Sequence, residues 1–308
     1  MKGAMVEDAH IRIAIGICAY NEEKNIPKLL DNLLTKQDFF QDVEIFVNCS
    51  GSNDNTPEIV RKLCDNNHSV KLIYESKRRG KAYALNEIFR ETNVNVVNND
   101  PLVLVNADAL PEPGSIDKLL QPFCNEKVGA TTGRPIPING LENICDSIVH
   151  LIWDLHHRLN LRGRVKMSGE LCAIRPDLVK EIPVNLATDE PYMEVLIRRQ
   201  GYEIVYVPGA VVRMKGPDNL RELFSQRRRI CIGHAQIKAM TGFTVSTYDF
   251  GKTLFLLCES LKIGATPMGL ATVLVGGFLE IVARLAALYD LRRGMIPYIW
   301  ERLPSTKP

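Results

Sequence analysis

Short apolar runs alternate with amphipathic segments along the first 105 residues of the chain. A β-branched run at 11–18 precedes a polar loop, and Pro27 opens a segment in which leucines recur at helical spacing. The same order of strand, polar loop and helix then repeats. Further strands are predicted at 43–47, 70–74 and 102–105, and further helices from Pro57 and at 82–89. This alternation predicts an α/β fold with a mostly parallel sheet.

Polar segments follow the predicted strands at the points where the strands end. They are residues 20–23 (Tyr-Asn-Glu-Glu), 48–56, 77–81 and 106–108 (Asn-Ala-Asp). In open parallel sheets, ligands bind beyond the carboxyl ends of the strands. We therefore expect these segments to converge on one cleft.

The pattern changes from about residue 129. It predicts an extended segment at 131–137, a helix around 144–161, a short strand near 171–174 and a helix from Asp189. We interpret this part as the acceptor side of the same domain. Near residue 240 the composition shifts towards Leu, Gly and Ala, and residues 263–279 carry no charge. Glu280 and Arg284 follow at a spacing of four, which lets them pair on one helix face.

The uncharged run at 263–279 is at the short end of what spans a bilayer, because a spanning helix needs about 20 apolar residues. Pro267 and the glycines at 276 and 277 fit an interfacial or re-entrant helix as readily as a span, with the nearby Arg292 and Arg293 close to anionic headgroups. A buried core or oligomer helix is the third interpretation. Membrane association is the preferred one.

Composition and charge exclude several classes of protein. The chain has 308 residues, of which 45% are hydrophobic, so it can bury a large core. Its 38 basic and 36 acidic residues give a net charge of +2, which predicts no nucleic-acid partner. Eight cysteines without a CxxC pair indicate a reducing compartment and no zinc site. The polar residues 1–10 are not a secretory signal, so we expect the catalytic part to face the cytoplasm.

Seven short segments occur in an order that is typical of one enzyme family. They are Tyr-Asn-Glu-Glu at 20–23, Ser-Gly-Ser-Asn-Asp-Asn-Thr at 50–56, Arg-Gly-Lys-Ala at 79–82 with Asn86, Asn-Ala-Asp at 106–108, residues 169–175, the pair Asp189 and Glu190, and Gln-Arg-Arg-Arg at 226–229. Over roughly residues 11–235 the chain resembles the family 2 glycosyltransferases of the GT-A fold. The resemblance implies a Rossmann-like, mostly parallel sheet flanked by helices, and transfer of a sugar from a nucleotide-sugar with inversion.

The expected organisation is a tail at 1–10, a GT-A domain at 11–240 and a helical, membrane-associated region at 241–308. Within the domain, residues 11–128 would form the nucleotide-sugar half and residues 129–240 the acceptor half. The apolar C-terminal extension is more similar to the polysaccharide- and glycolipid-building members of the family than to the small soluble ones.

The resemblance implies a set of donor-binding residues: Tyr20, Glu22, Asp54, Lys81, Asn106 and Asp108. It makes Asp108 the ligand of a divalent cation, Mg²⁺ or Mn²⁺, which would bridge the phosphates of the donor, most simply a UDP-sugar. Asn106 stands where the family usually has an acid, as do Cys49 and Ser50 in the second loop. The alternatives are turn or cap roles for Asp54 and Asp108. For Lys77 and Arg78 we expect solvated side chains.

The remaining motifs imply the acceptor side of the reaction. Asp189 and Glu190 are the candidates for the base that takes the acceptor proton; Glu190 aligns with the usual position, and Asp189 is preferred slightly over it, although it could instead cap a helix. Further residues are implied to contact the acceptor or the diphosphate: Gly169, Glu170, Gln226, Arg228 and Arg229. The arginines could instead form a membrane-proximal basic stripe. Ile230 replaces the tryptophan of the family's Gln-x-x-Arg-Trp motif, which puts processive extension in doubt.

The resulting expectation is a metal-dependent, inverting glycosyltransferase on the cytoplasmic face of the cell membrane. It would build a cell-surface polysaccharide or glycolipid on a glycan or lipid-linked acceptor. One alternative is an inactive scaffold that binds nucleotide-sugar, which would explain the departures at Ser50, Asn106 and Ile230. The other is a sugar nucleotidyltransferase, which would need a Gly-rich phosphate loop after the first strand, where this chain has Tyr20 and its neighbours.

Overall fold

A computed structural model of the chain describes residues 13–37, 43–95, 100–248, 266–300 and 303–306. The expected tail at 1–10 and residues 249–265 of the expected C-terminal region lie outside the described residues. The described strands are β1 (Ile13–Ala19), β2 (Val43–Ser50), β3 (Val70–Glu75), β4 (Leu102–Asn106), β5 (Ala109–Pro111), β6 (Val128–Pro137), β7 (Leu171–Ile174) and β8 (Glu203–Met214). The described α-helices are α1 (Ile26–Thr35), α2 (Thr56–Asn66), α3 (Lys81–Asn95), α4 (Ser115–Leu120), α5 (Ile144–Leu161), α6 (Glu190–Arg199), α7 (Leu220–Thr241) and α8 (Pro267–Arg292).

The eight described strands form one sheet in the order β3-β2-β1-β4-β7-β6-β8-β5. Strand β1 pairs in parallel with β2 and β4, and β2 pairs in parallel with β3. Strand β7 is antiparallel to both of its neighbours, β4 and β6, while β6 and β8 are parallel and β5 closes the edge antiparallel to β8. The α/β interpretation with a mostly parallel sheet is therefore confirmed.

The first half of the sheet is buried on both faces. Ile15 and Ile17 of β1 pack with the leucines of α1 on one face. Phe46 of β2 packs with Ile88 of α3 on the other face. Gly16 lies where a Cβ atom would approach the side chain of Ile88 to 2.7 Å, so α3 comes close to the strand. Burial on both faces explains why these strands are nearly continuous apolar runs in the sequence.

Several elements differ from the sequence-based expectations: β5, α4 and α7 had no predicted counterpart, and α3 and β8 differ in ways that the sequence explains. Helix α3 extends to Asn95, beyond the expected end at residue 89. Strand β8 was not expected, because Pro208 and Gly209 interrupt its apolar pattern and such residues usually mark a turn. The structure accommodates them where the β6–β8 pairing shifts register, between Thr132 and Arg134 of β6.

Helix α8 has two different faces. One face packs on α5 and α7, and on it Glu280 accepts a hydrogen bond from Arg284 at 2.9 Å, which confirms the expected pairing. The other face exposes large apolar side chains at helical spacing: Met268, Leu270, Leu274, Phe278, Ile281, Leu285, Leu288 and Tyr289. By length and composition, this 26-residue helix could cross a membrane.

Candidate active site

A cavity of about 650 Å³ opens at the carboxyl edge of β1 and β4. Its walls come from the loops that follow these strands, the start of α3, the loop before β7, the start of α6, one face of α7 and residues 295–300 after α8. Most of the site residues expected from the sequence line it: Tyr20, Glu22, Lys81, Asn106, Asp108, Gly169, Glu170, Glu190, Gln226, Arg228 and Arg229. The polar segments do converge, as the parallel arrangement predicted.

The antiparallel strand β7 brings the loop at 168–170 to this edge. Leu171 pairs with Val105, so the residue before β7 lies beside the end of β4. The Asn106 N–H points to the carbonyl oxygen of Glu170 at 3.4 Å. The Glu170 carboxylate accepts a hydrogen bond from the Ser168 hydroxyl. Reversal of this strand therefore places residues distant in sequence on one wall of the cavity.

The loops after β1 and β2 are joined to each other by hydrogen bonds. The Glu22 N–H donates to Thr56 Oγ1 at 2.8 Å, and the Glu23 N–H donates to Asp54 Oδ2 at 3.2 Å. Asp54 Oδ1 also accepts from the Thr56 N–H at 3.0 Å. Asp54 is thus used in the turn and is not among the cavity-lining residues, which favours its structural interpretation. Tyr20 and Glu22 face the cavity instead.

One buried carboxylate, Asp189, and two half-buried charges, Lys81 and Glu190, form what we call the carboxylate cluster. The Lys81 ammonium lies 3.2 Å from Asp189 Oδ2 and 2.9 Å from Glu190 Oε1. Burial favours the neutral amine, but the two carboxylates raise the pKa of Lys81 well above its ordinary value. Burial and the neighbouring Glu190 raise the pKa of Asp189. Burial alone would also raise the pKa of Glu190, but Lys81 holds it below its ordinary value.

The two carboxylates of the cluster differ in position. Glu190 lines the cavity, whereas Asp189 is 2% exposed and lies behind it, beside Cys18 and Met193. Asp189 occupies the N-cap position of α6, but its side chain makes no capping hydrogen bond. A Cβ atom at Gly169 would overlap the Glu190 carboxylate, so only glycine leaves room for that side chain. The arrangement presents Glu190 to whatever occupies the cavity.

The three consecutive arginines of α7 have different partners. Arg227 donates to Glu280 of α8 at 2.9 Å. Arg228 makes two hydrogen bonds of 2.5 Å to Asp290 of the same helix. These two side chains hold α8 against α7, so a diphosphate role for Arg228 would compete with that bond. The Arg229 guanidinium instead stacks on an aromatic ring that follows α8.

That ring is Trp300, whose centroid lies 3.6 Å from the Arg229 guanidinium carbon. The Lys81 ammonium lies 5.2 Å from the same ring. The Trp300 carbonyl accepts a hydrogen bond from Arg78, and the Arg78 guanidinium stacks on Tyr20 at 3.7 Å. The expectation that Arg78 is a solvated charge was therefore wrong, because residues 295–300 fold back over this loop. Lys77 is exposed, as expected.

Comparison with known proteins identifies the family of the chain. Residues 10–233 match the glycosyltransferase like family 2. The chain belongs to this family. It is 26% identical over 258 residues to the poly-beta-1,6-N-acetyl-D-glucosamine synthase of Staphylococcus aureus (strain COL), which covers 80% of this chain and 60% of the relative. The chain therefore spans about three fifths of the length of this curated relative.

Solved structures show that the chain has the GT-A-like fold. The mannosyltransferase PcManGT from Pyrobaculum calidifontis, in complex with GDP-Man and Mn2+, aligns with a TM-score of 0.64 at 21% identity, over 90% of this chain and 86% of that one. S. aureus TarS 1–349, in complex with UDP, aligns with a TM-score of 0.51 at 16% identity, over 92% of both chains. The fold class and the family expected from the sequence are confirmed.

The residues that could hold a metal ion lie at the end of β4. Within the described ranges, no three His, Cys, Asp or Glu side chains are grouped as ligands of an ion. The half-buried Asp108 carboxylate nevertheless lines the cavity two residues beyond Asn106. Magnesium is commonly held by one or two carboxylates together with substrate phosphates. This donor set fits an ion that is shared with a diphosphate.

Among the cavity-lining residues that were not expected from the sequence, four have aromatic, imidazole or charged side chains that the function discussed below uses. Trp153 and His156 come from one face of α5, Lys166 from the loop before β7, and Trp300 from the segment after α8. None belongs to a linear motif. The only sequence signal for the two tryptophans was their rarity, since the chain has two.

Proposed function

We propose that the protein transfers a sugar, with inversion, from a nucleoside diphosphate sugar to a hydroxyl or phosphate of a glycan or lipid-linked acceptor. The observation that carries this proposal is the convergence of Asp108, Glu190 and Arg229 on one cavity at the carboxyl edge of the sheet. A metal ligand, a proton acceptor and a phosphate-binding cation are the groups that this reaction requires.

Donor binding is assigned to the nucleotide-sugar half of the cavity. Tyr20 and Glu22 lie beside the end of β1, where Glu22 also accepts a hydrogen bond from Asn25 at 2.9 Å. Asp108, with Asn106 alongside, would hold Mg²⁺ or Mn²⁺, which when bound neutralises diphosphate charge. UDP is the nucleotide favoured by the similarity to TarS, whose structure contains UDP. The name of the curated relative favours a polysaccharide product.

We assign the general base to Glu190 in preference to Asp189. When the acceptor is a hydroxyl, the hydroxyl oxygen forms a bond to the anomeric carbon of the donor. The bond from that carbon to the diphosphate oxygen breaks at the same time. The hydroxyl proton passes to the Glu190 carboxylate, which Lys81 keeps ionised, and the nucleoside diphosphate leaves with the bonding electron pair. Asp189 lies behind Glu190 and positions Lys81. A phosphate acceptor, if already ionised, would need no base.

Arg229 is the cation that we assign to the departing diphosphate. Burial lowers the pKa of Arg229 to about 10, although the carboxylates of Glu190 and Asp189 oppose this. The side chain therefore remains a guanidinium at neutral pH and can bind two phosphate oxygens in its plane. Trp300 covers one face of that plane and leaves its edge for the ligand.

We propose that α8 lies along a membrane surface rather than across the bilayer. Its inner face carries Glu280 and Asp290, which are ion-paired to α7, so this face stays on the catalytic domain. Its outer face is a stripe of large apolar side chains, which suits the boundary between headgroups and acyl chains. Such an orientation would place the cavity at the cytoplasmic face of the cell membrane, as expected for synthesis of a cell-surface glycan.

The transferase proposal is tested by release of nucleotide from a panel of nucleotide-sugars with Mn²⁺ or Mg²⁺. Slow donor hydrolysis needs no knowledge of the acceptor. Metal-dependent release should occur with one donor and be lost in Asp108→Ala, while Asp65→Ala, an exposed carboxylate on α2, should behave as wild type. Binding of a donor without release would favour the inactive scaffold.

The membrane proposal is tested separately, with the full chain and liposomes that contain anionic lipid. Phe278→Glu places a charge on the outer face of α8, where the side chain is 69% exposed, so flotation with liposomes should be lost. Val184→Glu changes an exposed apolar residue outside α8 and is the matched control. Unchanged flotation of Phe278→Glu would contradict the assignment.

A further inference from the structure

One wall of the cavity carries a cation, Lys166, to which the proposed donor chemistry assigns no role. Trp153 and His156 lie one turn apart on α5, and Lys166 follows in the loop before β7. These side chains belong to the acceptor half, opposite the loops after β1 and β2. Gln226 and Arg227 of α7 complete this end of the cavity.

Lys166 lines the cavity, and its backbone is held by a hydrogen bond. The Lys166 N–H donates to Asn160 Oδ1 at 3.0 Å. Among the described residues, no oxygen lies within hydrogen-bonding distance of the ammonium, and no carboxylate lies within 4.0 Å of it. Burial and the nearby Arg227 lower the pKa of Lys166. The half-buried Lys166 therefore has no partner for its charge in the described part of the chain, which leaves the charge available to a group that enters the cavity.

The carboxylates within electrostatic range of Lys166 are already engaged by other groups. Glu190 pairs with Lys81 at 2.9 Å, and Glu194 pairs with Arg198 at 3.0 Å. Glu170 accepts a hydrogen bond from Ser168. The charge on Lys166 is therefore not neutralised by a dedicated ion pair within the protein.

Apart from these carboxylates, the groups next to Lys166 are cationic or neutral. Arg227 is paired with Glu280. Burial, together with Lys166 and Arg227, lowers the pKa of His156 well below its ordinary value, so the imidazole is neutral. Its Nε2 atom is buried and has no hydrogen-bond partner among the described residues. The Trp153 ring meets the imidazole edge-on at 5.3 Å and supplies an apolar wall.

We propose that Lys166, His156 and Trp153 form a subsite for an anionic group, phosphate or carboxylate, carried by the acceptor. This inference rests on the proposed function and specifies its acceptor class. Lys166 supplies the charge, the free imidazole nitrogen supplies a hydrogen bond, and the indole contacts the body of the molecule to which the anion is attached. A lipid phosphate and an acidic sugar would share this chemistry.

Two pairs of soluble probes distinguish these sources. Farnesyl phosphate is compared with farnesol, and octyl β-glucuronide with octyl β-glucoside, each titrated by calorimetry into full-length protein saturated with UDP and Mn²⁺. Saturation keeps the probes out of the donor site. At least one anionic probe should bind about tenfold or more tightly than its neutral partner, and Lys166→Ala should abolish that preference. Preference for the phosphate indicates a lipid acceptor, and preference for the glucuronide indicates an acidic sugar.

Arg164→Ala is the matched control, because it removes an exposed cation from the same loop and should retain the preference. Equal affinity for charged and neutral probes, no saturable binding of either anion, or a preference that survives in Lys166→Ala would overturn the subsite. Nucleotide release by the wild-type protein without any acceptor is measured in parallel. Nucleotide release can be absent while the anionic preference remains, and the preference can be absent while release occurs. The transferase proposal and the subsite are therefore judged separately.

Discussion

Two ionic clusters of similar burial lie on opposite sides of α7. One has an excess of carboxylates, and the other has an excess of cations. The carboxylate cluster has two carboxylates and one ammonium, with side-chain exposures of 3% for Asp189 and 14% for both Lys81 and Glu190. The second, which we call the arginine cluster, has two guanidinium groups, Arg227 and Arg284, around Glu280. Its side chains are 14–20% exposed.

Burial therefore does not distinguish a reactive cluster from a structural one, but charge balance and position do. The carboxylate cluster retains an excess negative charge, and one of its members, Glu190, faces the cavity. The arginine cluster surrounds its single carboxylate with cations and connects α7 to α8. An excess carboxylate beside a cavity can accept a proton, whereas an enclosed carboxylate with two guanidinium partners mainly fixes geometry.

The proposed difference between the two clusters would be contradicted if Glu190 could be replaced without loss of activity. Glu190→Gln keeps the size of the side chain and an oxygen that Lys81 can reach, but it removes the proton acceptor. Transfer to a hydroxyl acceptor, or to water in donor hydrolysis, should fall by about 10³-fold in kcat, within the usual range for a general base. The melting temperature, followed by circular dichroism, should change little.

Asp189→Asn is the matched variant, because it alters the carboxylate that lies behind Glu190. Its loss of kcat should be about tenfold, through weaker positioning of Lys81. An equal or larger loss in Asp189→Asn would show that the base is Asp189, as slightly preferred from the sequence.

Substitution in the arginine cluster should lower the stability of the protein, whereas substitution in the carboxylate cluster should lower its activity. Glu280→Gln leaves two buried guanidinium groups without their charged partner. Removing one member of a buried pair is costly, and we expect a loss of about 3 kcal/mol in the free energy of unfolding, measured with urea. The control is Glu58→Gln, whose ion pair with Arg61 is more than half exposed and should contribute less than about 1 kcal/mol. Similar losses for both variants would refute a special role for the arginine cluster.

Acid should separate Glu280 of the arginine cluster from Asp189 of the carboxylate cluster, because the pKa values of these two carboxyl groups shift in opposite directions. Burial alone would raise the pKa of Glu280, but Arg227 and Arg284 lower it to about 2. Its stabilisation is therefore present above the ordinary glutamate pKa and is lost as the pH falls towards 2. The raised pKa of Asp189 has the reverse effect, since the folded state then loses stability as that group ionises with rising pH.

Urea midpoints at pH 3, 5 and 7 measure this difference. The stability gap between wild type and Glu280→Gln should shrink from pH 5 to pH 3. The stability of Asp189→Asn relative to wild type should increase from pH 3 to pH 7. A gap for Glu280→Gln that is constant over this range would contradict the depressed pKa.

The sequence predicted the elements whose boundaries are local. Helix α5 (Ile144–Leu161) and strand β7 (Leu171–Ile174) have the expected limits, because each apolar pattern ends at polar or turn-forming residues. Linear motifs likewise indicated most of the cavity wall, since the ends of parallel strands must meet at one edge. Strand β8 escaped prediction because its Pro and Gly are tolerated only through pairing with β6.

Side chains that enter the site through chain crossings could not be predicted in this way. Arg78 and Trp300 are 222 residues apart, and Arg228 and Asp290 are 62 apart. No local pattern connects such pairs. Lys166 belongs to none of the linear motifs, and only the structure shows that it lines the cavity. The lost tryptophan at position 230 likewise gave no indication that Trp300 lies over Arg229.

Trp300 links the two clusters. It follows α8, which carries part of the arginine cluster, and its ring covers a cation beside the carboxylate cluster. Its ring lies 3.6 Å from Arg229, and a cation–π contact of this kind is worth about 1 kcal/mol. A double-mutant cycle of Trp300→Leu and Arg229→Gln, measured by urea unfolding, should therefore give a coupling energy of about 1 kcal/mol. Trp300→Phe should retain part of it, since a smaller aromatic face remains. Additive effects of the two substitutions would mean that residues 295–300 are held by Arg78 instead, and that the indole contributes no measurable link between α8 and the cavity.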